Sequence, residues 1–251
     1  MVQTQPSSHA VVIYPDSDGR PIADNTKQFR WIVAIQQNLD WLFADDPDVF
    51  VAGDLLWYPV EGNNKTRVAP DVMVVIGRPK GDRGSYQQWK ENNLPPQVVF
   101  EILSPGNTRA EMNRTLLLYN HFGVDEYYLY DPDGNVLSGW IRRDDFLDVI
   151  DPIENWTSPT LNIRFALSGD ELQIFRPDEQ RFLSYAEIAE QAEEQRQRAE
   201  EERQRAEIER QRAKEHQQQA EIERQRATDA EEKASRLAAR LRELGIDPEQ
   251  L

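Results

Sequence analysis

The sequence has no cysteine in 251 residues, which excludes disulfides and thiolate metal sites. It has three histidines, of which His121 and His216 have no partner at metal-ligand spacing. No stretch approaches the roughly 20 apolar residues that a membrane-spanning helix needs. No N-terminal stretch combines a basic end with an apolar run, so the sequence does not indicate secretion. We therefore expect a cytoplasmic protein that has no contact with membranes.

Aromatic residues are absent after Tyr185, since all 6 Trp, 9 Phe and 8 Tyr lie at or before that position. The last quarter of the chain therefore cannot build a globular core of its own. Residues 1–189 carry 28 acidic against 16 basic side chains, and residues 190–251 carry 17 against 13. An acidic core repels phosphate, so any binding of nucleic acid should use a local basic patch and be weak and salt-sensitive.

These shifts in composition predict four segments. Residues 1–24 read as a flexible lead-in, residues 25–187 as a globular domain, residues 188–245 as a charged helical tail and residues 246–251 as the C-terminal end. Within the globular domain the pattern indicates a helix, strands, a second helix, another strand and a β-rich end. This order predicts an α/β fold.

Four local signals define the first part of that domain. Asn25 is a plausible N-cap for a helix that runs to Phe43. Val72–Ile76 is an apolar run without alternation, which is typical of a strand covered on both faces, and Gln97–Leu103 indicates another buried strand. Thr108 and the glutamate three residues later form a capping-box pattern that predicts a helix to about residue 122.

The tail repeats every seven residues, with alanine at each repeat from Ala192 to Ala234. A coiled coil needs a second apolar position in each heptad, and the residue three after most of these alanines is polar. Two interpretations stay open: a solvated helix supported by i,i+4 ion pairs, or a coiled coil that forms a homodimer. The apolar seam is continuous only at the end: Ala227, Ala230, Ala234, Leu237, Leu241 and Leu244.

Asp71 heads one buried-looking strand and Glu101 lies inside the other. A buried carboxylate costs several kcal/mol unless it is paired or hydrogen-bonded. Taken singly, Asp71 could belong to a turn at the strand start and Glu101 could face solvent. Taken together, the two fit a site for Mg²⁺ or Mn²⁺, because one or two carboxylates hold Mg²⁺, which can activate a water molecule against a phosphodiester.

The chain resembles the Uma-two family of restriction-endonuclease-like proteins, part of the PD-(D/E)XK nuclease superfamily. The resemblance covers about Asn25 to Tyr185, and its motifs are specific in combination and order. They are Pro70-Asp71, Glu101-Ile102-Leu103-Ser104-Pro105, Glu111, Tyr119, Gly123-Val124-Asp125-Glu126-Tyr127 and Asp131-Pro132.

The resemblance implies a restriction-endonuclease-like core, in which helices flank a mixed central sheet, followed by the long C-terminal helix. It implies hydrolysis of phosphodiester bonds in nucleic acid, with DNA as the expected partner and Mg²⁺ or Mn²⁺ as the cofactor. Asp71 and Glu101 take the positions of the metal ligands, and the Ile102 carbonyl would add a further oxygen.

The sequence departs from the family at the catalytic lysine. The position that this lysine takes in the family, four after Glu111, holds Thr115 here, which carries no charge. The adjacent Arg114 could substitute, or it could form a surface ion pair with Glu111. Relatives often have a glutamate at the start of the first helix, where Lys27 or Gln28 could contribute instead.

The segment from Gly77 to Pro96 is the one basic and aromatic stretch of the domain. It could contact a nucleic-acid backbone through its basic residues and stack on unpaired bases through its aromatic ones, or it could be a solvated loop. The residues concerned are Arg78, Lys80, Arg83, Tyr86 and Trp89.

Two functions are compatible with these patterns. The first is a Mg²⁺-dependent endonuclease, with Asp71 and Glu101 at the metal and Arg114 and Thr115 in the place of the lysine. The second is a catalytically impaired protein of the same fold that binds or scaffolds partners and assembles through its C-terminal coiled coil.

Overall fold

The computed structural model describes residues 12–19, 21–167 and 169–243. The chain divides into two units, residues 1–188 and residues 189–251, and each is described by itself. The first eleven residues of the expected lead-in, together with Leu244 and the expected C-terminal end, lie outside the described residues.

The order of elements follows the one expected from the sequence. The helices are α1 (Thr26–Leu42), α2 (Arg109–Phe122) and α3 (Tyr185–Glu243). The strands are β1 (Val49–Gly53), β2 (Trp57–Tyr58), β3 (Val72–Ile76), β4 (Tyr86–Gln87), β5 (Val98–Ile102), β6 (Glu126–Asp131), β7 (Val136–Arg143), β8 (Phe146–Val149), β9 (Arg164–Ala166) and β10 (Gln173–Phe175).

A six-stranded mixed sheet forms the centre of the first unit, in the order β1-β3-β5-β6-β7-β8. Within it β5 and β6 run parallel, and the other neighbours are antiparallel. The two parallel strands are joined by α2, because parallel neighbours need a crossover connection. This mixed sheet with flanking helices, followed by a long C-terminal helix, confirms the predicted fold class.

Side chains of β5 alternate between two apolar clusters on opposite faces of the sheet. Val98, Phe100 and Ile102 pack in the cluster that contains the buried side of α1. Val99 packs in the other cluster, which contains Tyr119 of α2. Both faces of the strand are covered, which explains why Val98, Val99 and Phe100 are apolar at consecutive positions.

Both predicted N-caps are present. The Asn25 side chain accepts hydrogen bonds from the backbone N–H groups of Lys27 and Gln28, so α1 begins where the sequence indicates. The Thr108 side chain accepts from the Glu111 N–H, and the Glu111 carboxylate accepts from the Thr108 N–H at 2.9 Å. The capping box therefore fixes the start of α2.

Glu126, at the start of β6, is buried and joins this strand to the segment after β8. Its Oε2 accepts hydrogen bonds from the hydroxyls of Tyr128 and Ser158, each at 2.6 Å. Its Oε1 accepts from the backbone N–H of Thr160 at 2.8 Å. Three donors compensate this carboxylate for the loss of water, so Glu126 has a structural role.

The described part of the lead-in contacts the domain. The Tyr14 ring packs against the rings of Tyr58 and Trp89, at centroid distances of 5.2 and 4.9 Å. The Tyr58 hydroxyl donates to the Pro15 carbonyl at 2.7 Å. The stretch around Tyr14 is thus held by aromatic packing and hydrogen bonds, although its composition had indicated flexibility.

The tail lies almost entirely within α3, a continuous helix whose described side chains from residue 189 onward are exposed except for Ala238. Ion pairs at i,i+4 spacing support it, such as Glu194 with Arg198 and Glu232 with Arg236. Leu237 is 66% exposed. Homodimerisation through the apolar seam stays a prediction.

No helix among the described residues is long and apolar enough to cross a membrane.

Candidate active site

Asp71 and Glu101 come together at one end of the β3–β5 pair. The antiparallel register pairs Val72 with Phe100 and Met73 with Val99. Continuing it by one residue places Asp71 opposite Glu101. Alternation along a strand puts Glu101 on the same face as Val99, which is the face covered by α2. The two carboxylates that the sequence singled out are therefore neighbours across two strands.

Asp71 is 8% exposed, and its Oδ2 accepts a hydrogen bond from the backbone N–H of Ile102 at 2.6 Å. Burial is the main cause that raises the pKa of Asp71, to about 7, and the charge of Asp54 adds to it. The bond from Ile102 opposes this shift but does not overcome it. Asp71 does lie in a bend directly before β3, but it is buried there.

Glu101 is half-buried and accepts a hydrogen bond from the hydroxyl of Tyr119 on α2. Burial, followed by the negative charge of Asp71, raises the pKa of Glu101 well above its ordinary value. Among the described residues no lysine or arginine forms an ion pair with Asp71 or Glu101. The pair therefore lacks a compensating positive charge from these parts of the chain.

The Ile102 carbonyl, the expected third oxygen, accepts a hydrogen bond from Gln28 Nε2 of α1 at 2.9 Å. Gln28 Oε1 in turn accepts from the backbone N–H of Asp24 at 2.8 Å. Lys27 points elsewhere, since its ammonium group contacts the Pro132 carbonyl and Asp133. Of the two residues considered at the start of α1, the structure brings Gln28 to the site.

Helix α2 places the two candidates for the missing lysine differently. Thr115 is half-buried and lies one turn before Tyr119, on the face that reaches Glu101. Arg114 is exposed, and the Glu111 carboxylate accepts from the Thr108 hydroxyl at 2.9 Å.

The basic residues of the segment 77–96 are engaged in local contacts. Arg78 and Arg83 each donate to Glu91 at 2.8 Å, and the Arg83 guanidinium lies 4.0 Å from the centre of the Phe50 ring. Burial raises the pKa of Glu91, but the two arginines outweigh it and hold that pKa below its ordinary value. Lys80 pairs with Asp40 at 3.3 Å.

The aromatic residues of this segment are also occupied. Tyr86 is fully buried and donates its hydroxyl to the Leu94 carbonyl at 2.7 Å, so it cannot stack on a base. Its strand β4 pairs with β2 where we had expected a loop. A two-residue strand has no periodic pattern, so the sequence gives no sign of it. Trp89 packs against Tyr14.

Sequence reasoning did not assign site roles to the two tyrosines beside the carboxylates. Tyr119 is fully buried and holds Glu101. Tyr127 of β6 is also fully buried, and its ring contacts the ring of Tyr119 at 5.1 Å. The sequence did contain a signal for Tyr119, because it lies four residues after Thr115 and therefore on the same face of the helix. It contained none for Tyr127, which lies beside the site because β6 pairs with β5.

The residues around this pair fit a hard cation that keeps most of its own water. Among the described residues no group of three or more His, Cys, Asp or Glu side chains is arranged to hold a metal ion. Mg²⁺ requires fewer protein ligands, since one or two carboxylates and a carbonyl oxygen suffice beside water. One buried and one half-buried carboxylate, without an ion-pair partner among the described residues, match that donor set.

A separate cavity of about 1060 Å³ lies beside α1. None of the proposed site residues lines it. It is bounded by α1, by the segment around β10 and by the start of α3: Phe29, Arg30, Trp31, Leu172, Phe182 and Tyr185 among others.

Comparison with known proteins identifies the family. The model of the Uma2 family, described as "Putative restriction endonuclease", matches residues 17–231. A search of curated proteins gives no match. Among solved structures, a crystal structure from Anabaena variabilis ATCC 29413, described as a putative nuclease belonging to DUF820, is 15% identical with a TM-score of 0.45. That similarity covers 58% of this chain and 80% of the other. Because the family model spans most of the sequence, including the Asp71 and Glu101 motifs that carried the resemblance, the chain belongs to the Uma2 family.

Proposed function

We propose that the chain is a Mg²⁺-dependent endonuclease that hydrolyses phosphodiester bonds of DNA. The observation that carries the proposal is the pair of opposed carboxylates, Asp71 and Glu101, which stand without an ion-pair partner in the described residues and have raised pKa values. Membership of a restriction-endonuclease family supports nuclease activity. Two adjacent carboxylates that are shielded from water lower the stability of the fold unless a ligand neutralises their charge. A divalent cation neutralises it most directly.

Asp71 and Glu101 would hold the cation from two sides, with Mn²⁺ as an alternative to Mg²⁺. The Ile102 carbonyl has a second lone pair that Gln28 does not use, so it can supply a third oxygen. When bound there, Mg²⁺ supplies stabilisation of negative charge on the phosphate and a nucleophilic water at neutral pH.

The chain's own side chains would orient these ligands. The N–H of Ile102 holds Asp71, the Tyr119 hydroxyl holds Glu101, and the Gln28 amide holds the Ile102 carbonyl. These hydrogen bonds would fix the positions of the metal ligands. Fixed ligands favour catalysis, because small displacements of the reacting groups lower the reaction rate steeply. Each of these three supports comes from a different element: β5, α2 and α1.

We assign charge stabilisation to Arg114. It is exposed, next to the site-facing Thr115, and its guanidinium matches two phosphate oxygens at once. A guanidinium does not exchange protons near neutral pH, so Arg114 would stabilise the phosphate without acting as acid or base. Thr115 leaves the site face without the charge that the family places there.

Binding of DNA should be weak and salt-sensitive. The acidic excess of residues 1–189 repels phosphate. Arg78 and Arg83 are tied to Glu91, so their contribution to binding would require those ion pairs to open. Lys80 pairs with the exposed Asp40, and its side chain is the most exposed of the three cations.

The test is cleavage of supercoiled plasmid by the full chain in Mg²⁺ or Mn²⁺ at low salt, with single-stranded RNA as a parallel substrate. We expect metal-dependent nicking of DNA that Asp71→Asn and Glu101→Gln each abolish. Asp48→Asn, an exposed carboxylate at the start of β1, is the matched control and should cleave like the wild type. Cleavage that survives Asp71→Asn would rule this site out, and cleavage of RNA alone would overturn the assignment of DNA.

The alternative function is a catalytically impaired binding or scaffold protein that assembles through α3. Thr115 favours it, because the site then has no cation at the family's lysine position. This alternative predicts binding of nucleic acid or self-association without cleavage under any of these conditions.

A further inference from the structure

Tyr127 carries a buried hydroxyl that has no hydrogen-bond partner among the described residues. Leaving a hydroxyl unpaired in an apolar interior costs free energy. The other buried tyrosines do not have this problem. Tyr58, Tyr86, Tyr119, Tyr128 and Tyr130 each donate to a carbonyl, amide or carboxylate oxygen.

The Tyr127 side chain lies next to the candidate active site. Tyr127 pairs with Val99 on β5, two residues before Glu101, so Tyr127 and Glu101 share one face of the sheet. Its ring lies between Trp140, stacked at 4.9 Å, and Tyr119, which holds Glu101, at 5.1 Å. The ring therefore cannot change its orientation without disturbing both contacts.

Its environment keeps the hydroxyl protonated. Burial, and then the negative charges of Glu101 and Asp71, raise the pKa of Tyr127 far above its ordinary value. A phenol that stays protonated at neutral pH is a hydrogen-bond donor. Tyr119 satisfies Glu101 Oε1, so the donor of Tyr127 is left for a group that enters the site.

We propose that Tyr127 is a positioning residue whose hydroxyl donates to an oxygen atom that enters beside Asp71 and Glu101 with the cation. That oxygen belongs to a water molecule or to a phosphate, and both present the same acceptor. The inference rests on the proposed function and extends it to a residue outside the carboxylate pair. The cost of the unpaired hydroxyl in the free protein is recovered only when the site is filled.

The experiment compares the full-length wild type with Tyr127→Phe and, as the matched control, Tyr86→Phe. Tyr86 is buried in the same apolar cluster, but its hydroxyl is satisfied by Leu94. Thermal unfolding is measured without metal. Calorimetric titration with Mg²⁺ follows, and then titration of the Mg²⁺-loaded protein with inorganic phosphate. The tyrosine ultraviolet difference spectrum is recorded at each addition.

Tyr127→Phe should have a Tm equal to or above that of the wild type, since no hydrogen bond is lost. Its affinity for Mg²⁺ should fall about tenfold if the acceptor is water, or its affinity for phosphate alone should fall about tenfold if the acceptor is a phosphate oxygen. The tyrosine difference signal of the wild type should be lost with it. Tyr86→Phe should show the reverse: a lower Tm and unchanged binding.

Unchanged affinities in Tyr127→Phe, with normal binding by the wild type, would overturn the role of Tyr127 and leave the proposed function intact. A lower Tm for Tyr127→Phe would show that the hydroxyl has a structural partner and would also overturn it. Absence of Mg²⁺ binding by the wild type would remove the proposed function, and this inference with it.

Discussion

The backbone N–H of Ile102 donates to Asp71 Oδ2 at 2.6 Å, from the residue directly after Glu101. This bond fixes the Asp71 carboxylate beside Glu101 and satisfies one of its oxygens. It does not offset burial, because the pKa of Asp71 still rises to about 7. A buried carboxylate with a raised pKa costs stability, as expected of the metal site that we propose here.

Asp71→Asn should stabilise the metal-free protein and abolish cation binding. The amide oxygen can still accept from Ile102, while the buried negative charge is gone. At about pH 8 we expect the free energy of unfolding to rise by roughly 1 to 3 kcal/mol. Urea unfolding and calorimetric titration with Mg²⁺ measure the two effects. The control Asp48→Asn, at an exposed carboxylate, should change neither.

The stability of the metal-free protein should fall as pH rises from 3.8 to about 7. The pKa of Asp71 is raised from 3.8 to about 7 in the folded state, so there the native protein binds a proton that the unfolded chain has released. The free energy of unfolding then falls with pH between these values, by up to about 1.4 kcal/mol per pH unit for one proton. Urea unfolding across this range measures the slope.

Mg²⁺ should remove this pH dependence, because the cation binds the ionised carboxylates and displaces the proton. Proton release during calorimetric titration in buffers of different ionisation enthalpy measures the displacement directly. Stability that rises with pH across this range, or cation binding without proton release below about pH 7, would contradict the assigned protonation of Asp71.

Thr115→Lys should increase cleavage. The residue lies one turn before Tyr119 on the helix face that reaches Glu101, so a lysine there would place an ammonium group near the carboxylates and the phosphate. We expect a gain of about 10- to 100-fold in the rate of plasmid nicking. Asn113→Lys adds the same charge to an exposed position elsewhere on α2 and should give no gain.

Arg114→Ala should lower cleavage by the wild-type chain, if Arg114 supplies the charge that Thr115 does not. Arg109, exposed at the start of the same helix, provides the control Arg109→Ala, which should retain the wild-type rate. Equal losses in both variants would indicate general attraction of DNA rather than charge stabilisation at the site.

Glu126→Gln should destabilise the fold without affecting cation binding. Its carboxylate accepts from Tyr128, Ser158 and Thr160, and an amide cannot accept equally at both ends. We expect a loss of about 1 to 3 kcal/mol in the free energy of unfolding. Urea unfolding measures this loss, and Mg²⁺ titration below the transition should match the wild type.

Leu237→Glu should reduce self-association of the full chain. Leu237 belongs to the apolar seam at the end of the tail and is 66% exposed in the single chain. Sedimentation equilibrium at several concentrations measures the effect, and Glu231→Lys, an exposed substitution nearby, is the control. If the wild type is monomeric at every concentration, the tail is a solvated helix and the coiled-coil interpretation is wrong.

The fold could be predicted to the level of its elements, because strong local signals agree with the tertiary structure. The caps at Asn25 and Thr108 involve residues within one helical turn, so they can be recognised in the sequence without knowledge of the tertiary structure. The run Val72–Ile76 is covered on both faces, as an unbroken apolar strand indicates. The strand order and β4 depend on contacts between distant residues, and local patterns do not carry this information.

The site could be predicted only in part, for the same reason. Asp71 and Glu101 were found because a carboxylate in an apolar strand is conspicuous. Glu126 also lies in an apolar strand, yet three hydrogen bonds from other segments give it a structural role. Arg78 and Arg83 look free in the sequence, and only the fold reveals Glu91 between them. The hydrogen-bond and ion-pair partners of a side chain decide whether its role is structural or functional, and the residue type alone does not reveal these partners.

The alternation along β5 has a consequence for how the proposed site can change in evolution. Phe100 and Ile102 face the cluster under α1, while Val99 and Glu101 face α2, so the proposed metal ligand lies between two residues that pack on the opposite face. Insertion or deletion of one residue here would exchange the two sets and place a carboxylate in the core. The proposed site can therefore gain or lose its carboxylate on this strand by a single substitution, whereas a change in the length of the strand would disrupt the core.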